Sequence, residues 1–217
     1  RALPDGALEP ATAELGVDVE ALELVKPWVK PPGSRLLVCV MDPSARRRVA
    51  DVLRAMALLV PRHPQLRLAL VGSGAAHDDL RMHAASLGIT DLVLHANEDE
   101  DRTAILRAAD LGWVVADHDT AGFALLDLQA LRVPVVAMRT AIAQRYLADG
   151  IAGLLLPRHE PSVVAGRLAV LLAQDERRFA MGNAGRTRVA RDFPERAMID
   201  GFERAVTIAR DRSQWRG

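Results

Sequence analysis

The sequence predicts an α/β fold, a Rossmann-like parallel sheet with helices on both of its faces. Two observations support this prediction. Short apolar runs of strand length alternate along the chain with segments whose apolar residues recur at helical spacing, and such βα units build a parallel sheet. The chain has 217 residues, and 50% of them are hydrophobic, which is enough for one sizeable domain with its own core.

The regular elements follow an irregular opening. Residues 1–34 carry several prolines and glycines that interrupt long elements, and only a short helix at 18–24 is expected there. The predicted strands are apolar runs whose composition fits burial on both faces of a sheet. They cover residues 36–40, 66–71, 92–95, 111–115, 133–137 and 154–156.

The predicted helices fill the stretches between and after these strands, where apolar residues recur every three or four positions. They cover residues 49–59, 76–87, 102–109, 122–131, 161–172, 176–190 and 194–208. The last helix carries one apolar stripe, formed by Ile199, Phe202, Val206 and Ala209. Ligands of open parallel sheets bind beyond the carboxyl ends of the strands. We therefore expect the site in the loops at 41–48, 72–77, 96–101, 116–122 and 138–142.

Charge and cysteine content exclude several classes of function. The 28 basic and 28 acidic residues balance, so no nucleic-acid partner is expected. The single cysteine, Cys39, lies in an apolar run and is expected to be a small buried side chain, which fits a reducing compartment. No apolar run is long enough to span a membrane. We expect a cytoplasmic location, with the inner face of the membrane as the alternative, and the arginine- and alanine-rich composition suggests a bacterial source.

Residues 116–137 carry the most informative chemistry. Asp119 lies in a loop after a predicted strand, and Asp127 lies eight residues later in a helix whose N-terminus faces the same crevice. A helix N-terminus favours an anion because of its dipole and its free N–H groups. A carboxylate one or two turns further on can accept hydrogen bonds from a pair of sugar hydroxyls.

This stretch resembles the retaining glycosyltransferases of group 1, the glycosyltransferase family 4-like enzymes with two Rossmann-like domains. In that family a loop reads Glu, seven residues, Glu, and is followed by a helix and a Pro-Val-Val-Ala strand. An ungapped alignment from residues 133–137 places Asp119 on the first Glu, Asp127 on the second and Gly122 on the glycine between them. The resemblance implies that the chain is the C-terminal, donor-binding half of a GT-B fold.

The same resemblance implies roles for individual residues. Asp119 would act at the catalytic centre by holding hydroxyls of the donor sugar, and Asp127 would hold the ribose of the nucleotide. Backbone N–H groups of Gly122, Phe123 and Ala124 would meet the diphosphate. It also implies a nucleotide-diphosphate sugar as donor, transfer with retention of configuration, and no metal or other cofactor.

Two alternatives for this stretch stay open. A second register aligns Ala121 and Gln129 with the two acidic positions, but it needs a two-residue deletion before Pro134, so we prefer the ungapped register. In a purely structural interpretation, Asp119 or Thr120 caps the helix and Asp127 lies on a solvated face.

Other motifs extend the resemblance from residue 35 to about residue 202. Gly72 and Gly74 match a Val-Gly-x-Gly turn after the second strand, where we expect donor contacts, and Asn97 lies in the loop expected to recognise the base. Three further segments match family motifs by their order and spacing. They are Arg-Ala-Ala-Asp at 107–110, the Asp-Gly turn at 149–155, and Asp-Phe-Pro at 192–194.

Three arginines fall in the first turn of the second predicted helix. The dipole disfavours a cation there by about 0.3–1 kcal/mol, so a cluster of Arg46, Arg47 and Arg48 makes physical sense beside an anion. Arg47 matches a lysine that grips the donor diphosphate in the family. Met41, Asp42 and Arg48, however, replace a glycine, an arginine and a second glycine of that clamp, and a solvated face is the alternative.

The predicted organisation has three parts. Residues 1–34 form an interdomain linker segment, residues 35–192 form the nucleotide-sugar-binding domain, and residues 193–217 form a helix that packs back toward an N-terminal domain. The opening at 2–7 resembles the family's interdomain Pro-Asn-Gly-Val. The N-terminal domain would bind the acceptor, which is a glycan, a lipid or a small molecule, so this chain alone is expected to be inactive.

Two rival functions remain on the sequence evidence. A diverged, non-catalytic pseudo-glycosyltransferase that acts as a binding or scaffold protein is favoured by Asp42, Arg48 and Arg132 at family positions. The retained spacing of Asp119 and Asp127 opposes it. A nucleotide-sugar epimerase of similar two-domain shape is the third interpretation.

Overall fold

A computed structural model describes residues 14–41, 46–72, 78–96, 101–115, 121–157 and 160–214, without the side chains of residues 46, 47 and 209–214. Its strands are β1 (Arg35–Met41), β2 (Leu66–Val71), β3 (Val93–His95), β4 (Leu111–Val115), β5 (Val135–Met138) and β6 (Gly153–Leu156). Its helices are α1 (Val19–Leu24), α2 (Arg46–Leu59), α3 (Asp78–Ser86), α4 (Arg102–Arg107), α5 (Ala121–Ala130), α6 (Ala141–Tyr146), α7 (Pro161–Leu172), α8 (Asp175–Asp192) and α9 (Glu195–Gln214).

The strands form one parallel sheet in the order β3-β2-β1-β4-β5-β6. The order reverses between β1 and β4, where the chain returns to the centre of the sheet and continues in the opposite direction. At such a point the connections on the two sides diverge and leave a crevice at the carboxyl edge. The predicted Rossmann-like fold is confirmed.

The central strands are buried because both of their faces are apolar. In β1, Leu36 and Val38 pack against the layer that contains α5 and α6. Leu37 and Cys39 pack against the layer that contains α2 and α7. Cys39 is fully buried, as predicted, and its burial raises the pKa of the thiol. The core therefore has two halves, one on each face of the sheet.

One helix was missed by the sequence analysis. α6 begins inside the segment expected to be a loop, where Thr140 accepts a hydrogen bond from the Ala143 amide at 3.1 Å and caps the helix. α6 has six residues, of which Ala143 and Tyr146 are buried. Its two buried residues lie three positions apart and form no longer repeating pattern.

The opening segment packs on the domain from residue 14 onward. Val17 donates to the Phe193 carbonyl at 3.1 Å, and Trp28 donates to the Ala104 carbonyl at 2.9 Å. Between these contacts lies α1, which Asp18 caps by accepting hydrogen bonds from two backbone amides. The role of residues 1–34 as a linker to another domain stays a prediction, and its family-like opening at 2–7 lies outside the described residues.

The Arg-Ala-Ala-Asp motif fixes this segment. Arg107 donates to the carbonyls of Glu23 and Val25 at the end of α1. Asp110 accepts the Leu36 amide at 2.7 Å and pairs with Lys30. The motif therefore has a structural role, which is to hold the opening segment against the start of β1.

Arg132, one of the departures from the family pattern, is also explained by the fold. It occupies the turn after α5 with a φ of 60°, a left-handed conformation that favours glycine. Its guanidinium pairs with Glu23, which also pairs with Arg186 at 2.9 Å. Arg132 thus contacts α1 from a backbone position that is strained for a residue other than glycine.

Helix α8 crosses this turn so closely that it requires a glycine. A Cβ atom on Gly182 would lie 2.0 Å from the Arg132 carbonyl oxygen, whereas one on Gly166 of α7 would meet nothing within 4 Å. We expect Gly182→Ala to lower the free energy of unfolding by about 2–3 kcal/mol through overpacking. The control Gly166→Ala should raise it by about 0.5–1 kcal/mol through helix propensity. Urea denaturation of the two variants measures both, and equal effects would contradict the close crossing.

Candidate functional site

Helix α5 brings two predicted site residues together. Phe123 and Asp127 lie four positions apart, on one face of the helix, and both line a groove of about 420 Å³. The other walls of the groove are α1, α4 through Thr103, and the start of α9 through Glu195 and Met198. Because α5 follows the carboxyl end of β4, the groove lies on the side of the sheet where ligands are expected.

Asp127 is the most buried carboxylate of the groove. Its side chain is 16% exposed, and its Oδ2 lies 3.2 Å from Nη2 of Arg102, the first residue of α4. Burial raises the pKa of the Asp127 carboxyl, and the charge of Arg102 opposes that rise. A carboxyl group perturbed in this way beside a cleft is a candidate for ligand binding.

Phe123 adds an apolar surface to the same groove. Its ring is 42% exposed, although the residues beside it in α5 are buried. An exposed ring one turn from a partly buried carboxylate can pack against a planar or cyclic ligand while the carboxylate accepts hydrogen bonds from its hydroxyls.

Gly122 allows two side chains to pack over the first turn of α5. A Cβ atom there would lie 2.4 Å from Cδ1 of Leu15 and 3.3 Å from the ring of Tyr146. The Leu15 amide also donates to the Tyr146 hydroxyl at 3.4 Å. The sequence analysis did not foresee these contacts, because they join residues far apart in the chain. The diphosphate contact of Gly122, Phe123 and Ala124 stays a prediction.

The two registers place the second acidic position in different environments. Gln129 is fully buried, and its Nε2 donates to the carbonyls of Leu125 and Tyr146, both at 2.8 Å. The second register would therefore place its acidic position in the core. The ungapped register places Asp127 at the groove, where a carboxylate can meet a ligand.

The remaining predicted residues are described only in part. Gly72 follows β2 with a φ of 129°, and a Cβ atom there would lie 2.1 Å from the Met41 carbonyl oxygen, so the approach to β1 requires a glycine. Arg47 lies in the first turn of α2, but its side chain is not described. Three predicted residues lie outside the described part of the chain. They are Gly74, Asn97 and Asp119.

The segment after β5 is fixed by an ion pair and a helix cap. Arg139 pairs with Asp149 at 2.5 Å, and the other oxygen of Asp149 accepts the Leu155 amide at 2.9 Å. The Leu155 hydrogen bond and the Arg139 charge lower the pKa of the Asp149 carboxyl. Arg139 therefore ties the Asp-Gly turn to the end of β5, and Thr140 caps α6.

A larger cavity of about 760 Å³ lies at the opposite edge of the sheet, beside Arg35 and Asp175. The guanidinium groups of Arg35 and Arg178 both donate hydrogen bonds to the Asp175 carboxylate, so these three charged side chains pair with one another. Because parallel sheets bind ligands at their carboxyl ends, we assign the candidate site to the groove of Asp127.

The described residues contain no group of three or more His, Cys, Asp or Glu side chains that could hold a metal ion. Among the same residues, no helix combines the length and the apolar character needed to cross a bilayer.

Comparison with known proteins gives a family match. The model of the family described as glycosyl transferases group 1 matches residues 22–188. The D-inositol 3-phosphate glycosyltransferase of Corynebacterium jeikeium (strain K411) is 36% identical over 149 residues, which cover 64% of this chain and 36% of that protein. The chain spans only 31% to 45% of the length of the most similar curated relatives.

Solved structures share the fold at low sequence identity. The C-terminal domain of a group 1 glycosyl transferase (LpcC) from Francisella tularensis matches with a TM-score of 0.69 and 15% identity, over 82% of this chain and 99% of that one. Anabaena Alr3699/HepE in complex with UDP-glucose matches with a TM-score of 0.67 and 16% identity, over 82% of this chain and 49% of that one.

The two registers can be compared by the effect of a glutamate at position 129 or at position 127 on the free energy of unfolding. In Gln129→Glu, a buried charge would face two carbonyl oxygens, and we expect a loss of about 3 kcal/mol in the free energy of unfolding at neutral pH. The loss should shrink as the pH falls, because burial raises the pKa of the new carboxyl above its unfolded value and the folded state takes up the proton first. The control Asp127→Glu should change stability by less than about 1 kcal/mol. Denaturation at several pH values measures both, and a greater loss in Asp127→Glu would favour the second register.

Proposed function

The chain belongs to the group 1 glycosyl transferase family, and we propose that it is the donor-binding half of an enzyme that transfers a sugar from a nucleotide-diphosphate sugar. The observation that carries the proposal is the position of Asp127, a partly buried carboxylate that lines a groove beside an exposed aromatic ring. Transfer would proceed with retention of configuration, as in the family that the motif resembles.

The groove chemistry suits the ribose of a nucleotide. A ribose carries two vicinal hydroxyls, and an ionised carboxylate can accept a hydrogen bond from each. Phe123 would cover an apolar side of the nucleotide. A protein of the same fold, Anabaena Alr3699/HepE, is in complex with UDP-glucose. This supports a nucleoside diphosphate sugar as the donor class.

The other site residues take their proposed roles from the family motif. Asp119 would hold hydroxyls of the transferred sugar, and Gly72, Gly74 and Asn97 would line the donor loops. Arg47 and the amides at the start of α5 would neutralise the diphosphate as it leaves, which is where charge develops in the transition state. With these groups supplying the positive potential, we expect no metal ion or other cofactor in the reaction.

We propose that a second, N-terminal domain binds the acceptor. The matched relatives are named for D-inositol 3-phosphate, but the match covers about a third of their length and includes the donor-side motif. Their name favours a small phosphorylated acceptor over a glycan or a lipid, and the N-terminal domain would bind it. The isolated chain should therefore bind donor without transferring sugar.

Helix α9 offers a surface for that second domain. Phe202 and Val206 are each 56% exposed, and Ile199, which lies on the same stripe, is 37% exposed. A contiguous apolar stripe on a monomer marks an interaction site more often than chance. We propose that the N-terminal domain covers it.

The stripe predicts a difference between the chain and the complete protein. In the isolated chain, Phe202→Ser should change the free energy of unfolding by less than about 0.5 kcal/mol, because the ring is exposed. In the two-domain protein the same change should weaken the interdomain contact by about 1–3 kcal/mol. Calorimetry of both forms, with Phe179→Ser as a control at another exposed ring, measures this. Equal effects in the two forms would exclude α9 from the contact.

Nucleotide binding is the direct test of the donor site. We expect UDP, GDP or ADP at about one hundred times its dissociation constant to stabilise the chain by about 2.7 kcal/mol, a rise of about 5–10 °C in Tm. Asp127→Asn should abolish the rise, because the amide cannot replace both acceptor oxygens. The control is Asp51→Asn, which changes an ion-paired aspartate of α2.

Each other outcome has a defined meaning. A rise in Tm that survives Asp127→Asn removes Asp127 from the donor site. No rise with any of the three nucleotides contradicts the donor site and favours a scaffold protein. Conversion of UDP-GlcNAc into its epimer by the two-domain protein would favour the epimerase.

A further inference from the structure

Arg102 pairs with the carboxylate of Asp127 from the start of α4. Its Nη2 lies 3.2 Å from Oδ2 of Asp127, and its side chain is 45% exposed. Among the described residues, Asp127 forms its ion pair with Arg102 alone, and through Oδ2. One oxygen of the carboxylate is thus held from α4.

The position of Arg102 is unfavourable for its own helix. It is the first residue of α4, directly after the N-cap Asp101, whose side chain accepts the Ala104 amide at 3.1 Å. The helix dipole disfavours a cation in the first turn. The ion pair with Asp127 of α5 offsets this unfavourable interaction of Arg102 with the dipole of α4.

Among the described lining residues, the groove offers Asp127 no cation of its own. Of its described lining residues, the charged ones besides Asp127 are Asp18 from α1 and Glu195 from α9. Asp18 is engaged by the amides of its own helix. Without Arg102, three carboxylates would share the groove, and their mutual repulsion would disfavour an ionised and ordered Asp127.

We propose that Arg102 is a positioning residue of the donor site, which holds one oxygen of Asp127 so that the other meets the hydroxyls of the nucleotide ribose. The inference rests on the proposed function, because it takes the ribose as the ligand of Asp127. Arg102 acts through Asp127 and needs no contact with the donor.

The state of Asp127 can be measured without any nucleotide. Carboxyl ¹³C NMR titrations of the wild type and of Arg102→Gln should show that the pKa of Asp127 rises in the variant, because burial remains and the opposing charge is lost. The control Arg54→Gln removes an ion-paired arginine of comparable exposure from α2 and should leave the titration of Asp127 unchanged. An Asp127 titration that is the same in Arg102→Gln and the wild type overturns the inference.

Donor binding supplies the second measurement. The nucleotide that binds the wild type, among UDP, GDP and ADP, should bind Arg102→Gln about ten-fold more weakly at neutral pH. Its affinity for this variant should also fall more steeply as the pH is lowered, because the protonated carboxyl loses an acceptor. Arg102→Lys should restore most of the affinity and the flatter profile, and Arg54→Gln should bind like the wild type.

The two hypotheses fail in different ways. If Arg102→Gln binds nucleotide with wild-type affinity and pH profile while Asp127→Asn does not bind, Arg102 has no positioning role and the donor site stands. If the wild type binds none of the three nucleotides, the donor site itself is contradicted, whatever the titration of Asp127 shows.

Discussion

The central strands are buried on both faces, and this constraint decides where the chain can place its chemistry. β1, β2 and β4 present almost only apolar side chains to the two helix layers, so polar groups are confined to the ends of the strands and to the helices that follow. The reversal of strand order between β1 and β4 then leaves space at the carboxyl edge. The groove of Asp127 lies beside this reversal because α5 begins directly after β4.

One wall of that groove depends on contacts far from it. α1 lines the groove with Asp18 and its neighbours, yet α1 has six residues and would be marginal in isolation. It is held by the guanidinium groups of Arg107, Arg132 and Arg186, which converge on its last turn. The family motif around Arg107 and the unusual backbone of Arg132 thus serve the same purpose, which is to keep a short helix in place as part of a binding surface.

Much of the fold could be predicted from the sequence, because the strands are continuous apolar runs and most helices carry apolar residues at helical spacing. The position of Asp127 followed from its spacing to the strand at Pro134. The partners of Asp127 could not be predicted, because Arg102 belongs to a different βα unit and the packing of α4 on α5 has no local signal. The only sign of this pair in the sequence was Arg102 itself, a cation in the first turn of a predicted helix, where the helix dipole disfavours it.

The lengths of the strands have a consequence for how the chain behaves in a crowded solution. β1, with seven residues, lies near the centre of the sheet, and the outermost strands β3 and β6 have three and four residues. An edge strand exposes unpaired backbone groups that can recruit a strand from another molecule. Here the free hydrogen-bonding edges are the shortest parts of the sheet, so the folded chain presents little template for intermolecular sheet extension.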